Sequence, residues 1–348
     1  MLLLAAGVAM GQTHATWPAD WNNWNDTALW VTVGNAGNAA DTRYGTYGAV
    51  AYEYNIGKYE VTAGQYKDFL NAVAKTDTYG LYNTSMDSSS YGCQITRLGT
   101  SGSYTYDFSG WPSGTTEADW ANRPVNLVSW GDAARFANWL TNGQGNGSTE
   151  TGAYNLNGAV SDAALKAVVV PSAAHRGTWS TGAKPYFLLT SEDEWYKAAY
   201  HDKNAGLAAT YFDYPTSSNR VPSNDLLEPT DPGNNATFYD SGYTIGSHSY
   251  PYYRTEVGAH ENSDSPYGTF DQGGNVWEWN EALVYGSYRG LRVGSFDSYD
   301  GNLRASARGY DNPTYEYYND GVRVSAVPEP ATLSLLALGG LALIQRRR

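Results

Sequence analysis

The chain has 348 residues, room for one large or two ordinary domains, and its 41% hydrophobic content is enough for a real core. A formal net charge of −13 and no internal Lys/Arg-rich run argue against a nucleic-acid partner, since phosphate backbones would be repelled. The 30 Tyr, 12 Trp and 38 Gly exclude a simple helical bundle and point to a loop-rich fold stapled by aromatic rings. With Cys93 as the one cysteine, an intrachain disulfide is impossible, and its Ser90-Tyr91-Gly92-Cys93-Gln94 setting reads as a packed thiol rather than a nucleophile.

At the N-terminus, Leu2 to Gly11 reads as the apolar core of a secretory signal, with Ala9 and Gly11 suiting cleavage near Gln12. The missing basic n-region implies a start further upstream. A strand is expected over 54–61. Thr62 and Gln65 then form a capping box, and Tyr66, Phe69, Leu70 and Val73 recur at helical spacing to about Ala74. Residues 75–121 read as irregular loops. A second strand is expected over 123–128, leading to Ser129 as N-cap of a helix that ends near Asn142-Gly143.

The stretch 143–184 shows no pattern, and its His175 and Arg176 have no evident partners. Phe187-Leu188-Leu189 repeats the strand-to-helix device, with a capping box at Ser191 and Glu194. Glu192, Asp193 and Glu194 there read as first-turn partners of the helix dipole rather than as catalytic acids. Residues 203–269 are long and structureless, which inside a domain marks a functional or disordered segment.

Asp271-Gln272-Gly273-Gly274-Asn275-Val276-Trp277-Glu278-Trp279 packs two glycines, two carboxylates and two tryptophans into nine residues. Glycines expose carbonyls, and carboxylates beside carbonyls are the hard oxygen ligands of calcium. The same residues also read as a Gly-rich turn entering a half-buried strand. Gly274 to Trp279 resembles the GNVWEW hallmark of the formylglycine-generating enzyme, or sulfatase-modifying factor, family. Four further phrases follow that family's order: Gly57 to Val73, Arg123 to Ala134, Phe187 to Ala199, and Arg289 to Phe296 with Leu303 to Arg308 and Gly321 to Val324.

That resemblance implies an α+β sulfatase-modifying-factor fold, C-type-lectin-like, with little regular secondary structure and long loops. It places the domain over 44–326, after a signal peptide at 1–11 and an N-terminal extension at 12–43. It implies calcium held by Asp271 and Glu278 side chains and by the Gly274 and Val276 carbonyls. A looser site would use Asn235 and Ala236, with Asp240 as a further candidate. The resemblance also implies a groove flanked by Trp277, Ser295 and Arg304.

The family oxidises a substrate cysteine with two thiolates that hold copper(I), and softness governs that metal choice. Counting from Gly294-Ser295, the first thiol position falls on Ser298, and the second falls between Tyr299 and Asn302, where no cysteine stands. Copper and family catalysis are therefore not expected. A nonhaem iron site is the alternative chemistry, but the five histidines show no i, i+3 or i, i+4 pairing, leaving His260-Glu261 as its one candidate.

Val327-Pro328-Glu329-Pro330, an apolar run over 331–344 and Arg346-Arg347-Arg348 together resemble a PEP-CTERM sorting tail processed by an exosortase. The run is short of the ~20 residues of a membrane helix, so it implies transient anchoring, over 327–348. The expected protein is secreted to the cell envelope or matrix and binds a glycan or peptide without catalysis. A superfamily oxidoreductase with altered metal chemistry and a purely structural matrix protein are the alternatives.

Overall fold

The computed structural model describes residues 28–87, 91–111, 114–179, 185–226, 233–245 and 253–327. The signal segment and the sorting tail lie outside them. The first elements are β1 (Trp30–Val33), β2 (Tyr54–Gly57) and α1 (Ala63–Val73), then the hairpin β3 (Ile95–Leu98) and β4 (Thr105–Phe108). Helices α2 (Glu117–Ala121), α3 (Trp130–Thr141), α4 (Asp162–Lys166) and α5 (Ala173–Trp179) follow, then β5 (Tyr186–Leu189) and α6 (Glu192–Tyr200). The C-terminal part supplies β6 (Trp277–Val284), β7 (Tyr288–Arg292), β8 (Gly309–Asp311), β9 (Asp320–Val322) and β10 (Val324–Val327).

Two four-stranded sheets organise the chain. The first runs β1-β2-β10-β5, all antiparallel, so the last described strand is inserted between β2 and β5. The second runs β8-β7-β6-β9, with β6 and β9 parallel. Because β9 and β10 are separated only by Arg323, that residue joins the two sheets. Strand β1, which the sequence assigns to an N-terminal extension, is the outer strand of the first sheet and pairs with β2 from Trp30 to Val33.

The three expected helices form where their caps place them. Thr62 with Gln65, Ser129 with Asp132 and Ser191 with Glu194 each make a reciprocal capping box. The apolar faces of α1 and α3 meet in the main core, where Phe69 of α1 contacts Phe136 of α3 edge-on at 5.4 Å and Trp139 at 5.3 Å, while α6 buries Trp195, Tyr196 and Tyr200 in a second cluster. Helix α3 lies against β5 and Trp139 and Phe136 are both buried there.

Elsewhere the sequence reading needs correction. The strand expected over 54–61 stops at Gly57, and the strand expected over 123–128 does not form. Pro124 has no N–H to donate, Leu127 sits at φ 59°, and only an isolated bridge, Thr62 to Pro124, remains. The 75–121 stretch holds the β3–β4 hairpin and α2, and the unpatterned stretch up to 184 holds α4 and α5. Arg176, expected to lack partners, is fully buried between Glu194, at 2.7 Å, and Glu281. Two carboxylates on one guanidinium satisfy a charge that could not otherwise be buried.

Val293 adopts φ 69° with its side chain buried. A β-branched residue in the left-handed region is strained by roughly 1–3 kcal/mol. Val293→Ala and Val293→Gly both remove the isopropyl group, but only glycine relieves that strain. Val293→Gly should therefore be the more stable of the two by about 1 kcal/mol, inverting the usual order in which glycine trails alanine. Chemical denaturation of the two variants side by side checks this; the usual order would show that the backbone is unstrained.

Candidate functional site

The nine-residue loop is built on positive φ angles at Asp271 (60°), Gly274 (89°) and Asn275 (59°). Asp and Asn tolerate the left-handed region, so the sequence can afford three such turns close together. Gly274 is obligatory: a Cβ there would lie 2.0 Å from the Thr237 carbonyl oxygen. This close approach lets Thr237 bridge Gly274 and accept the Asn275 N–H at 2.8 Å. Asn235 and Ala236 are thereby carried beside the loop. Their own N–H groups donate to Ser263 Oγ at 2.9 Å and to the Ser223 carbonyl at 3.0 Å, while Thr244 donates to the Ala236 carbonyl at 3.4 Å. Asp240 turns back locally, its N–H on the Gly242 carbonyl.

The loop delivers Trp277 and Glu278 into β6. Glu278 is buried, and its carboxylate is already engaged on both oxygens. Arg323 Nε donates to each at 3.0 Å, Arg323 donates again to Oε1 at 2.7 Å, and Trp195 Nε1 donates to Oε2 at 2.5 Å. Asp271 Oδ2 accepts the Gly258 N–H at 2.5 Å. Glu60, which the sequence did not single out, is buried beside them and accepts the Asn275 side-chain amide at 2.9 Å and the Val276 N–H at 3.2 Å. Burial pushes the Asp271 carboxyl up to about 6. Burial, and then the charges of Asp271 and Glu278, push Glu60 above the carboxylate range.

Three carboxylates thus face one guanidinium. An all-oxygen donor set with surplus negative charge fits a hard cation such as calcium. Asp271 and Glu60 carry the surplus; the lone pairs of Glu278 are filled, so it anchors the loop to Arg323 instead. Among the described residues, no group of three or more His, Cys, Asp or Glu is spaced as a metal cluster. His260 is buried with Nε2 3.1 Å from Thr237 Oγ1, and burial lowers it to about 4, so it is a neutral part of the loop support. Cys93 lies in the main core with its thiol pushed up by burial.

Ser298, where the resemblance puts the first thiol, is a hydroxyl in a closed set of hydrogen bonds. Ser298 Oγ accepts the Ser295 N–H at 3.0 Å and lies 3.1 Å from Ser295 Oγ. Ser295 Oγ donates to Asp297 at 2.5 Å, and Asp297 also accepts Tyr318 OH at 2.6 Å and the Asn319 amide at 3.1 Å. No thiol or imidazole enters this set among the described residues. Trp277 stands behind it, its N–H on the Asn319 carbonyl at 2.8 Å. Arg304 does not join it: the side chain is exposed and lies over the Tyr214 ring, 5.6 Å away.

Around this polar floor runs an arc of tyrosines that the sequence reading missed. Centroid distances step from Tyr299 to Tyr239 (5.6 Å), Tyr243 (5.2 Å), Tyr253 (4.8 Å), Tyr91 (5.4 Å) and Tyr318 (4.8 Å). Phe296 is buried beneath Tyr253 and Tyr318. These rings come from four distant segments, and the one sequence signal for them was the tyrosine count.

The fold defines a sulfatase-modifying-factor-type domain, and with one cysteine the chain has no catalytic cysteine pair. Residues 16–326 match the sulfatase-modifying factor enzyme 1-like domain, and the chain belongs to that family. Residues 326–348 match the PEP-CTERM protein-sorting motif, which implies exosortase processing of a secreted, surface-sorted protein. No curated protein matches the chain. The structure is similar to that of Treponema denticola variable protein 1, with a TM-score of 0.52 at 20% identity over 86% of this chain and 95% of that one. CarF (TM-score 0.48, 19% identity, 86% and 98% covered) and PvdO from Pseudomonas aeruginosa (0.41, 16%, 86% and 92%) also align. At these identities the first likeness bears on the fold alone. Among the described residues, no helix is long and apolar enough to cross a membrane.

Two measurements test the site. Gly274→Ala should cost roughly 3–5 kcal/mol, from the carbonyl clash and the positive φ together, whereas Gly301→Ala, with no atom within 4 Å, should be near neutral. Equal unfolding midpoints would show that the Thr237 approach does not constrain the loop. Asp320 is buried at the end of the polar floor with one carboxylate oxygen unpartnered, and burial lifts it to about 8. Since its folded pKa exceeds the ordinary 3.8, the stability tied to its proton is whole below about pH 4 and is lost as the pH rises through about 8. Asp320→Asn should thus be more stable than the parent by roughly 1–3 kcal/mol at pH 8.5, with the advantage gone at pH 4. A pH-independent difference would place the effect elsewhere.

Proposed function

We propose that this chain is an exported, non-catalytic binding module of its family, taking a glycan or peptide at the tyrosine-lined floor around Ser298. One observation carries the reading: Ser298, Ser295 and Asp297 satisfy one another where the family chemistry calls for a thiolate pair. A hydroxyl cannot replace a thiolate as a copper(I) ligand, because the soft ion selects sulfur. The single thiol, Cys93, is buried in the core and does not enter the floor. What remains is a fixed donor and acceptor set flanked by aromatic rings, which is the composition of a recognition site.

Calcium is part of this proposal as a structural ion, with Asp271 and Glu60 as its charged ligands and Glu278 held in place by Arg323. It would neutralise the surplus carboxylate charge and hold the carbonyls of the 271–276 loop outward.

The test is metal analysis joined to thermal unfolding of the full chain. Calcium should raise the midpoint above that in chelator, and more so at pH 7.5 than at pH 5, because Asp271 is protonated below about 6 and then cannot ligate. Asp271→Asn should lose most of the gain. Identical midpoints with and without calcium would remove the ion from the reading. Stoichiometric copper or iron would favour an enzyme with altered chemistry and overturn the binding-module proposal.

A further inference from the structure

We infer that the ligand of the tyrosine-lined floor is a neutral oligosaccharide, an inference that rests on the binding-module reading and narrows it. Three observations favour a neutral sugar. A peptide that docks by strand addition needs a free strand edge for its main-chain hydrogen bonds. The floor residues Ser295 to Ser298 lie in a turn, and β9, the neighbouring outer strand, is buried along its length. No ladder is therefore available to a peptide backbone. What the floor offers instead is ring faces and side-chain polar atoms.

The accessible rings are one at the Tyr299 end of the arc and one a single step from its Tyr318 end. Tyr299 is 64% exposed and Tyr91 45% exposed, while Tyr239, Tyr243, Tyr253 and Tyr318 are half-buried. Two open faces flanking a polar centre suit consecutive sugar rings, whose C–H faces stack on tyrosine while their hydroxyls turn to the floor. The centre supplies acceptors. The Asp297 carboxylate and Ser298 Oγ keep lone pairs for sugar hydroxyls, while the hydrogens of Ser295, Ser298 and the Asn319 amide are engaged within the set.

Charge fixes the class of sugar. The hydrogen bonds of the floor include a carboxylate and no lysine or arginine. Arg254, next to Tyr253 in the chain, is buried and donates to the Gly92 carbonyl at 2.9 Å. A uronate or sulfated polymer would meet the Asp297 carboxylate and a chain of net charge −13. Hexose or N-acetylhexosamine chains meet no such repulsion.

The full chain is tested by calorimetry against neutral hexose and N-acetylhexosamine oligomers, a uronate oligomer, a sulfated oligomer and a random peptide pool. Saturable binding is expected for a neutral oligomer alone. Tyr91→Ala and Tyr299→Ala should each weaken it about tenfold or more at an unchanged unfolding midpoint, while Tyr310→Ala, remote in the second sheet, should leave it unchanged. Asp297→Asn should weaken it too, and the two tyrosine variants keep the test valid if that variant does not fold. Peptide or acidic-polymer binding lost in the same tyrosine variants overturns the sugar assignment and leaves the binding module standing. Neutral-sugar binding indifferent to both tyrosines overturns the location. No saturable binding to any probe overturns the inference and the reading beneath it.

Discussion

The buried pair of Glu278 and Arg323 is the interaction on which the architecture depends. Arg323 lies between the two sheets, and besides Glu278 of β6 it reaches the Gly57 carbonyl of β2 at 3.0 Å and the Phe270 carbonyl at 2.8 Å. Trp195 of α6 closes the set by donating to the same carboxylate. One ion pair therefore ties both sheets, a helix and the 271–276 loop to a single point. Removing one partner of a buried pair typically costs ~3–5 kcal/mol, because the other charge is left unsolvated. A well-packed apolar replacement of both would lose the orientation of the loop, since hydrogen-bond directions fix it.

From that point outward the polar groups divide between those that tie elements together and those that bond within the floor around Ser298. The acids at the start of α6 hold: Glu192 takes Arg292 and Arg308, Asp193 takes the Gly48 N–H, and Glu194 takes Arg176 and Tyr52. These are fold contacts reaching well beyond the first-turn dipole role read from the sequence. The floor around Ser298 is different, because its polar groups bond to one another beside exposed rings and tie few elements together. The floor keeps its shape through short side-chain hydrogen bonds.

Much of this was legible in the residues, and the reasons are local. Helix caps are legible because the N-cap and N3 side chains act within one turn: two capping boxes and the Ser129 N-cap were read from the sequence, and Asp132 completes a third box at Ser129. The five ordered family phrases gave the fold, and the absent cysteines were a matter of counting. Tertiary partners were not legible. Arg176 looked solitary because Glu194 and Glu281 reach it from other elements. The strand expected over 123–128 failed because Pro124 and the positive φ of Leu127 outweigh an apolar run. Arg304 was placed in the groove by its position in a motif, yet the turn at Leu303 sends it toward Tyr214. The tyrosine arc joins residues more than two hundred positions apart, which no periodicity records.

By itself the sequence determined the family, the α+β class, the sorting tail and the loss of the oxidase thiols, since each is written in residue identity and short-range spacing. Only the tertiary structure decided which carboxylate anchors the loop and which carry its surplus charge, and which tyrosines share a surface. Those outcomes depend on burial and on distances between chain-remote groups, quantities that exist only once the two sheets are brought together.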